Sequence, residues 1–248
     1  MNVAFCQSEK NVSLVSGGSS GIGRAAALAL SRQGDRVIFL YRNEQTAMET
    51  VEQIRREGGR CLPVCCDISD THAARIAVSS IIDQYGRVDR FVNCAAISNV
   101  KKLAEIDETE WDRMMDINLR GAFFLTKEVY MHMESRKKGA IVLVTSIARQ
   151  RGGKFSGIHY SVSKGGVETM MKCFALLGAE HGIRVNAVSP GVADTPMSRE
   201  EGIGIADIPL GRAAEPEEVA DAICYLLSDQ ASYITGTTLD VNGGQMMR

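Results

Sequence analysis

The sequence predicts an α/β fold, a parallel sheet of about seven strands with helices on both faces. Three observations carry this. Strand-length apolar runs alternate with helix-length runs from end to end. The strand runs, such as residues 140–146, are continuously apolar rather than alternating, which marks strands buried on both faces. The 248 residues contain no linker, repeat or low-complexity tract, so residues 1–248 are expected to form a single domain.

The first strand, residues 12–15, reads Val-Ser-Leu-Val and runs into Ser16-Gly17-Gly18-Ser19-Ser20-Gly21-Ile22-Gly23. A helix-forming run follows at 24–30. Strand, glycine turn and helix together can bind the phosphates of a dinucleotide. The glycines bring bare backbone N–H groups against a phosphate, and the helix points its positive end at it. The spacing is G-x-x-x-G-x-G rather than G-x-G-x-x-G, so the turn alone is a weak signal.

Residues 36–41 form the second strand, and 44–57 a helix stopped at Gly58-Gly59. A short third strand, 61–65, leads into Cys66-Asp67-Ile68 and a helix over 71–85 that ends at Gly86. The fourth strand, 88–92, ends in Asn93-Cys94-Ala95-Ala96. One long helix is expected over 107–135, capped by Asp107 or Thr109. After the strand at 140–146 come a helix over 158–180 and a strand at 183–188. Residues 189–214 have no clear period and carry Pro190, Pro196 and Pro209, so a loop is expected there. A helix at 216–228 and a short strand at 237–241 complete the chain. In parallel sheets ligands bind beyond the carboxyl ends of the strands, and the glycine turn, Asp67, Asn93, Ser146 and Pro190-Gly191 all fall there.

Composition excludes several classes. Net charge is −2, with no basic tract to suggest a nucleic-acid or membrane-surface partner. Charged residues interrupt every long apolar run, so no transmembrane span is expected. Residues 1–10 show no basic segment followed by an apolar one, so no signal peptide is expected. The seven cysteines, Cys6, Cys61, Cys65, Cys66, Cys94, Cys173 and Cys224, include no C-x-x-C pair. They read as reduced, apolar side chains of a cytoplasmic protein, without a metal site.

The second decisive stretch is Tyr160-Ser161-Val162-Ser163-Lys164. Tyrosine and lysine four apart share one helix face, so the ammonium can lie near the phenol and lower its pKa from about 10. That makes Tyr160 a candidate acid–base catalyst. Ser146 ends the preceding strand, where its hydroxyl could hold a carbonyl oxygen.

Taken together, these residues resemble the short-chain dehydrogenase/reductase family in its single-domain form, a Rossmann-type doubly wound sheet. The match runs from Val12 to Gly244. It rests on the glycine turn, Asp67, Asn93-Cys-Ala-Ala96, Asn118, Ser146, Tyr160-x-x-x-Lys164, and Asn186 with Pro190-Gly191. The resemblance implies roles. Tyr160 would protonate a carbonyl oxygen as hydride arrives, and Ser146 would orient the carbonyl. Lys164 would bind the nicotinamide ribose, and Asn118 would hold a water linking it to solvent. Ser16, Gly17, Ser19, Ser20, Gly21, Ile22 and Gly23 would form the phosphate turn. Cys66, Asp67 and Ile68 would border the adenine, while Asn93, Cys94 and Ala95 would brace the cofactor. Pro190, Gly191, Val192 and Thr195 would meet the carboxamide.

Tyr41, Arg42 and Asn43 occupy the place where NAD-dependent members carry an acid, so NADP(H) is the expected cofactor. Where the family usually has Asn-Asn-Ala-Gly, this chain has Asn93-Cys94-Ala95-Ala96, and Ser16 replaces a threonine.

The C-terminal run from Tyr233 to Gly244 is most like the 3-oxoacyl-(acyl-carrier-protein) reductases. Ala140 and His181, however, stand where those enzymes carry basic residues. The expected activity is NADPH-dependent reduction of a free or carrier-bound ketone, with a β-keto acyl substrate. A sugar or polyol dehydrogenase and a non-catalytic NADP-binding regulator are the alternatives. Arg149, Arg151 and Lys154 place three positive charges after Ser146, where they would border the mouth and receive an anionic tail. His159 is a rim residue on the same reading. Surplus apolar residues on the two long helices, Phe123, Phe124, Met131, Met133, Met170, Met171 and Phe174, point to a homotetramer, with a dimer as the alternative.

Overall fold

A computed structural model describes residues 10–152 and 157–247. Cys6 and Lys154 lie outside them. Seven strands form one parallel sheet: β1 (Val12–Ser16), β2 (Arg36–Tyr41), β3 (Arg60–Cys65), β4 (Arg90–Asn93), β5 (Gly139–Val144), β6 (Ile183–Pro190) and β7 (Thr238–Val241). Their spatial order is β3-β2-β1-β4-β5-β6-β7. The chain winds outward from β1 to β3, then crosses back to β4 on the other side of β1. That reversal opens a crevice at the carboxyl ends of β1 and β4, where the glycine turn lies.

The helices are α1 (Gly21–Arg32), α2 (Glu44–Arg56), α3 (Thr71–Tyr85), α4 (Glu108–Met115), α5 (Ala122–Arg136), α6 (Ala148–Arg151), α7 (Ile158–Ala179), α8 (Pro196–Glu200) and α9 (Pro216–Leu227). Strand side chains alternate between two cores. Leu14, Ile38, Phe91, Ile141 and Val185 pack under α3, α5 and α7, against Val78, Leu125, Met133 and Phe174. Val15, Val37, Phe39, Val92 and Val142 pack under α1, α2 and α9, against Leu30, Ile54, Ile223 and Leu227. Burial on both faces is why the strands read as unbroken apolar runs.

Three elements depart from the sequence expectation. The helix expected over 107–135 is broken into α4 and α5 by a π-turn, Asp116–Gly121. Its start is as expected, since the Asp107 carboxylate caps the Glu110 N–H at 2.8 Å. Residues 148–151 form a helical turn rather than a loop. The aperiodic segment carries a short helix, α8, behind a capping box of Thr195 and Ser198.

Of the surplus apolar residues, Met133, Met170, Met171 and Phe174 belong to the core. Phe123 and Met131 stay exposed at 40% and 50%, with Leu176 on α7 at 80%. No helix among the described residues is long and apolar enough to cross a membrane.

Candidate active site

A cleft of about 720 Å³ follows the strand ends from β2 to β6. Its floor is the glycine turn. Gly17 and Gly21 have φ of +68° and +50°, a region open to glycine at little cost. A Cβ at Gly17 would stand 3.0 Å from the Ala95 backbone, and one at Gly23 would overlap the Gly17 carbonyl oxygen. The turn is therefore packed against the end of β4 with no room for side chains. Ser16 fastens the two: its hydroxyl donates to Asn93 at 2.6 Å and accepts the Ala95 N–H at 3.1 Å.

At the start of α1 the Ser20 side chain makes no capping bond, and no acid stands in the first turn. Backbone N–H groups at a helix start beside a glycine turn suit the diphosphate of a dinucleotide. Ser19, Gly21, Ile22 and Gly23 line the cleft there.

The β2 end carries Tyr41, Arg42 and Asn43. Arg42 faces Asp67 at 3.6 Å, both about half exposed. Burial would raise the Asp67 pKa, but bonds from the Ser69 N–H and hydroxyl, with Arg42 beside it, bring it below the ordinary range. Asn43 caps α2 through the Thr46 N–H, and Cys66 and Ile68 complete this end of the cleft. Burial pushes the Cys66 and Cys94 thiols up to about 11 and about 12, so both stay protonated and apolar.

On the other side of β1 the cleft is walled by Ser146, Tyr160 and Lys164, with Pro190, Gly191, Val192 and Thr195 opposite. Thr195 closes down on the glycine turn, its methyl 3.1 Å from where a Gly21 Cβ would be. The ammonium lies over the Tyr160 ring, as the helix spacing predicts, but burial has the larger influence on the phenol. Lys164 Nζ donates to the Val144 carbonyl at 3.0 Å and lies 5.7 Å from the Tyr160 ring centre. Burial dominates both groups. Tyr160 is pushed up to about 12, with Ser146 lowering it and Glu201 raising it, and Lys164 is pulled down to about 8. Desolvation moves each toward its neutral form, so at neutral pH Tyr160 holds a proton ready to give.

Asn118 lies in the π-turn, and its side chain is engaged. Its carbonyl accepts the Ile97 N–H at 2.8 Å, and its amide donates to the Ile97 carbonyl at 2.8 Å and to Ser163 at 3.2 Å. The side chain is a strut between the segment after β4 and α7.

Two expected rim residues are not on the rim. The Arg149 side chain has no exposed surface and lies between Glu168 and Asp240, each at 3.1 Å. Arg149 and Arg151 are two apart on one helical turn, so they point to nearly opposite sides. Of these two, Arg151 faces the cleft, with Asp207 at 3.5 Å. His159 is also fully buried. One step around α7 from Tyr160, its ring packs against Gly157 away from the cleft, and burial lowers its pKa.

Sequence reasoning missed Ser98, Glu201 and Gln245, which line the cleft. Gln245 accepts the Val192 N–H at 3.2 Å. None sits in a motif. Each is brought in by a turn after a strand or by α8.

Comparison with known proteins agrees with this architecture. A family model described as enoyl-(acyl carrier protein) reductase matches residues 17–246. The 3-oxoacyl-(acyl-carrier-protein) reductase of Thermotoga maritima is 34% identical over 241 residues, covering 95% of this chain and 98% of that protein. Cyclopentanol dehydrogenase of Comamonas testosteroni is 37% identical over 244 residues, covering 94% and 96%. A solved short-chain type dehydrogenase/reductase from Mycobacterium ulcerans superposes with a TM-score of 0.90 at 29% identity, covering 97% and 91%. With cleft, catalytic-type wall and relatives all agreeing over nearly its whole length, the chain belongs to the short-chain dehydrogenase/reductase family of oxidoreductases.

Proposed function

We propose that the protein is an NADPH-dependent ketoreductase that converts a β-keto acyl type ketone, free or carrier-bound, to a secondary alcohol. What carries the reading is the convergence of Ser146, Tyr160 and Lys164 on one wall of a cleft whose other end presents Arg42. NADPH supplies hydride when bound. The glycine turn from Ser16 to Gly23 would hold its diphosphate, Cys66, Asp67 and Ile68 its adenine, and Asn93, Cys94 and Ala95 would brace it. Pro190, Gly191, Val192 and Thr195 would fix the carboxamide end. Ser146 orients the substrate carbonyl and Tyr160 gives its oxygen a proton. Lys164 would hold the nicotinamide ribose, and its ammonium stabilises the phenolate left once Tyr160 has given its proton.

The coenzyme choice rests on Arg42. Its half-exposed pair with Asp67 at 3.6 Å is worth little. The guanidinium is therefore free to turn toward a 2′-phosphate, which it can bind through two parallel charge-assisted bonds. Steady-state assays with a ketone panel and both coenzymes test this. NADPH should be strongly preferred, and Arg42→Ala should raise its Michaelis constant about 10–100-fold with turnover little changed. Equal efficiency with NADH in the unmodified enzyme would remove the coenzyme assignment, and silence on every ketone the reaction.

The 37% identity to a cyclopentanol dehydrogenase supports a second reading, oxidation of a simple secondary alcohol by the same residues, which the reverse assay separates. A cytoplasmic location and assembly into a homotetramer belong to the same proposal. The exposed Phe123, Met131 and Leu176 supply an apolar surface on α5 and α7 for a two-fold partner. Light scattering at micromolar concentration should give four times the chain mass, and a stable monomer would count against the assembly.

A further inference from the structure

Of the two arginines expected at the mouth, only Arg151 lines the cleft among the described residues. Arg149 is buried in an ion cluster, and Arg151 is paired with Asp207. Glu201, at the end of α8, also lines the cleft. Its charge reaches the Tyr160 phenol and helps push that pKa up. Its carboxyl accepts a hydrogen bond from Ser98. Its Oε1 is shut off from solvent and has no hydrogen-bond partner. A buried carboxylate oxygen left without a donor is costly, and native sites seldom keep one without use.

Resting on the ketoreductase reading above, we propose that Glu201 selects the substrate, and that the ketone carries a hydrogen-bond donor, a hydroxyl or an amide N–H, placed to meet this oxygen. Ser146 and Tyr160 engage the carbonyl, while Glu201 accepts from the donor and fixes which side of the ketone faces Tyr160. A free carboxylate at the same place is disfavoured, because it would meet the Glu201 carboxyl where a donor is wanted. β-Keto acids should therefore be reduced as neutral thioesters or amides rather than as free anions.

The test compares three ketones with NADPH: a methyl ketone ending in a primary hydroxyl, its alkyl counterpart of equal chain length, and acetoacetate. The hydroxyketone should exceed the alkyl ketone in kcat/KM by about 10–100-fold, the range of a buried hydrogen bond to a charged acceptor. Acetoacetate should be the poorest of the three. In Glu201→Met the hydroxyl-to-alkyl ratio should collapse toward one, chiefly through KM, and in Glu201→Gln it should be intermediate. Should the methionine variant not fold, calorimetry on the unmodified protein with NADP⁺ still decides, with the diol expected to bind tighter than the matched simple alcohol. Reduction of all three ketones without discrimination, or an unchanged ratio in both variants, overturns this inference alone. No reduction of any of them overturns the ketoreductase reading and this inference with it.

Discussion

Tyr160→Phe should lower ketone reduction by about 10²–10⁴-fold, the usual worth of a positioned general acid, while NADPH affinity stays within a few-fold. The phenol is buried, is held near Ser146, and is pushed up to about 12, so at neutral pH it is protonated. Phenylalanine keeps the ring and removes the hydroxyl that carries that proton. NADPH fluorescence should titrate normally in a variant that no longer turns over. The unmodified enzyme adds a second signature. Lys164 is pulled down to about 8 by burial, so it carries its charge below that pH and loses it above. Reduction should accordingly be level through neutrality and fall as pH rises past about 8. A variant keeping a tenth or more of normal turnover would sink the assignment.

Arg149→Met should destabilise the fold by about 3–5 kcal/mol, the cost of breaking a buried ion pair from one side. That corresponds to a fall in Tm of about 6–20 °C for a chain of this size. The guanidinium holds Glu168 of α7 and Asp240 of β7 at 3.1 Å each with no surface exposed to water. Its loss leaves two carboxylates without the charge between them. Glu168 keeps a bond from Thr238 at 3.1 Å and a distant Lys172 at 3.7 Å, neither of which replaces it. Adding Glu168→Gln and Asp240→Asn should recover much of the loss, because the repulsion goes with the charges. Were Arg149 at the mouth instead, the methionine variant would melt normally and show only a changed Michaelis constant for an anionic ketone. A Tm within about 3 °C of the unmodified protein would favour that outcome.

Local rules carried the sequence reading where they sufficed. The Gly17, Gly21 and Gly23 spacing foretells the turn because only glycine suits the φ and the clearance found there. Tyr160 and Lys164 come together because four residues on a helix make one turn, and continuous apolar runs identify the buried strands. What stayed hidden depends on partners far away in the chain. Arg149 could be placed only with Glu168 and Asp240 known. The break after Met115 accompanies an Asn118 side chain that clasps the backbone at Ile97. Glu201 sits in a segment without period, carried to the site by a helix of five residues. The direction of the Tyr160 shift is not legible in the sequence either, because a helix spacing reports nearness to a cation but not burial, and burial is the larger influence here.

The π-turn at Asp116–Gly121 bears on how this chain can vary in length. A π-turn takes up an extra residue within an α-helix. Deleting one residue there would let the helix close into regular winding with α5 still in phase with α4, so Leu125 and Val129 could stay against the sheet. What would go is the direction of the side chains inside the turn, and with it the clasp of Asn118 on Ile97 and Ser163. The core can lose that residue; the strut between the segment after β4 and α7 cannot.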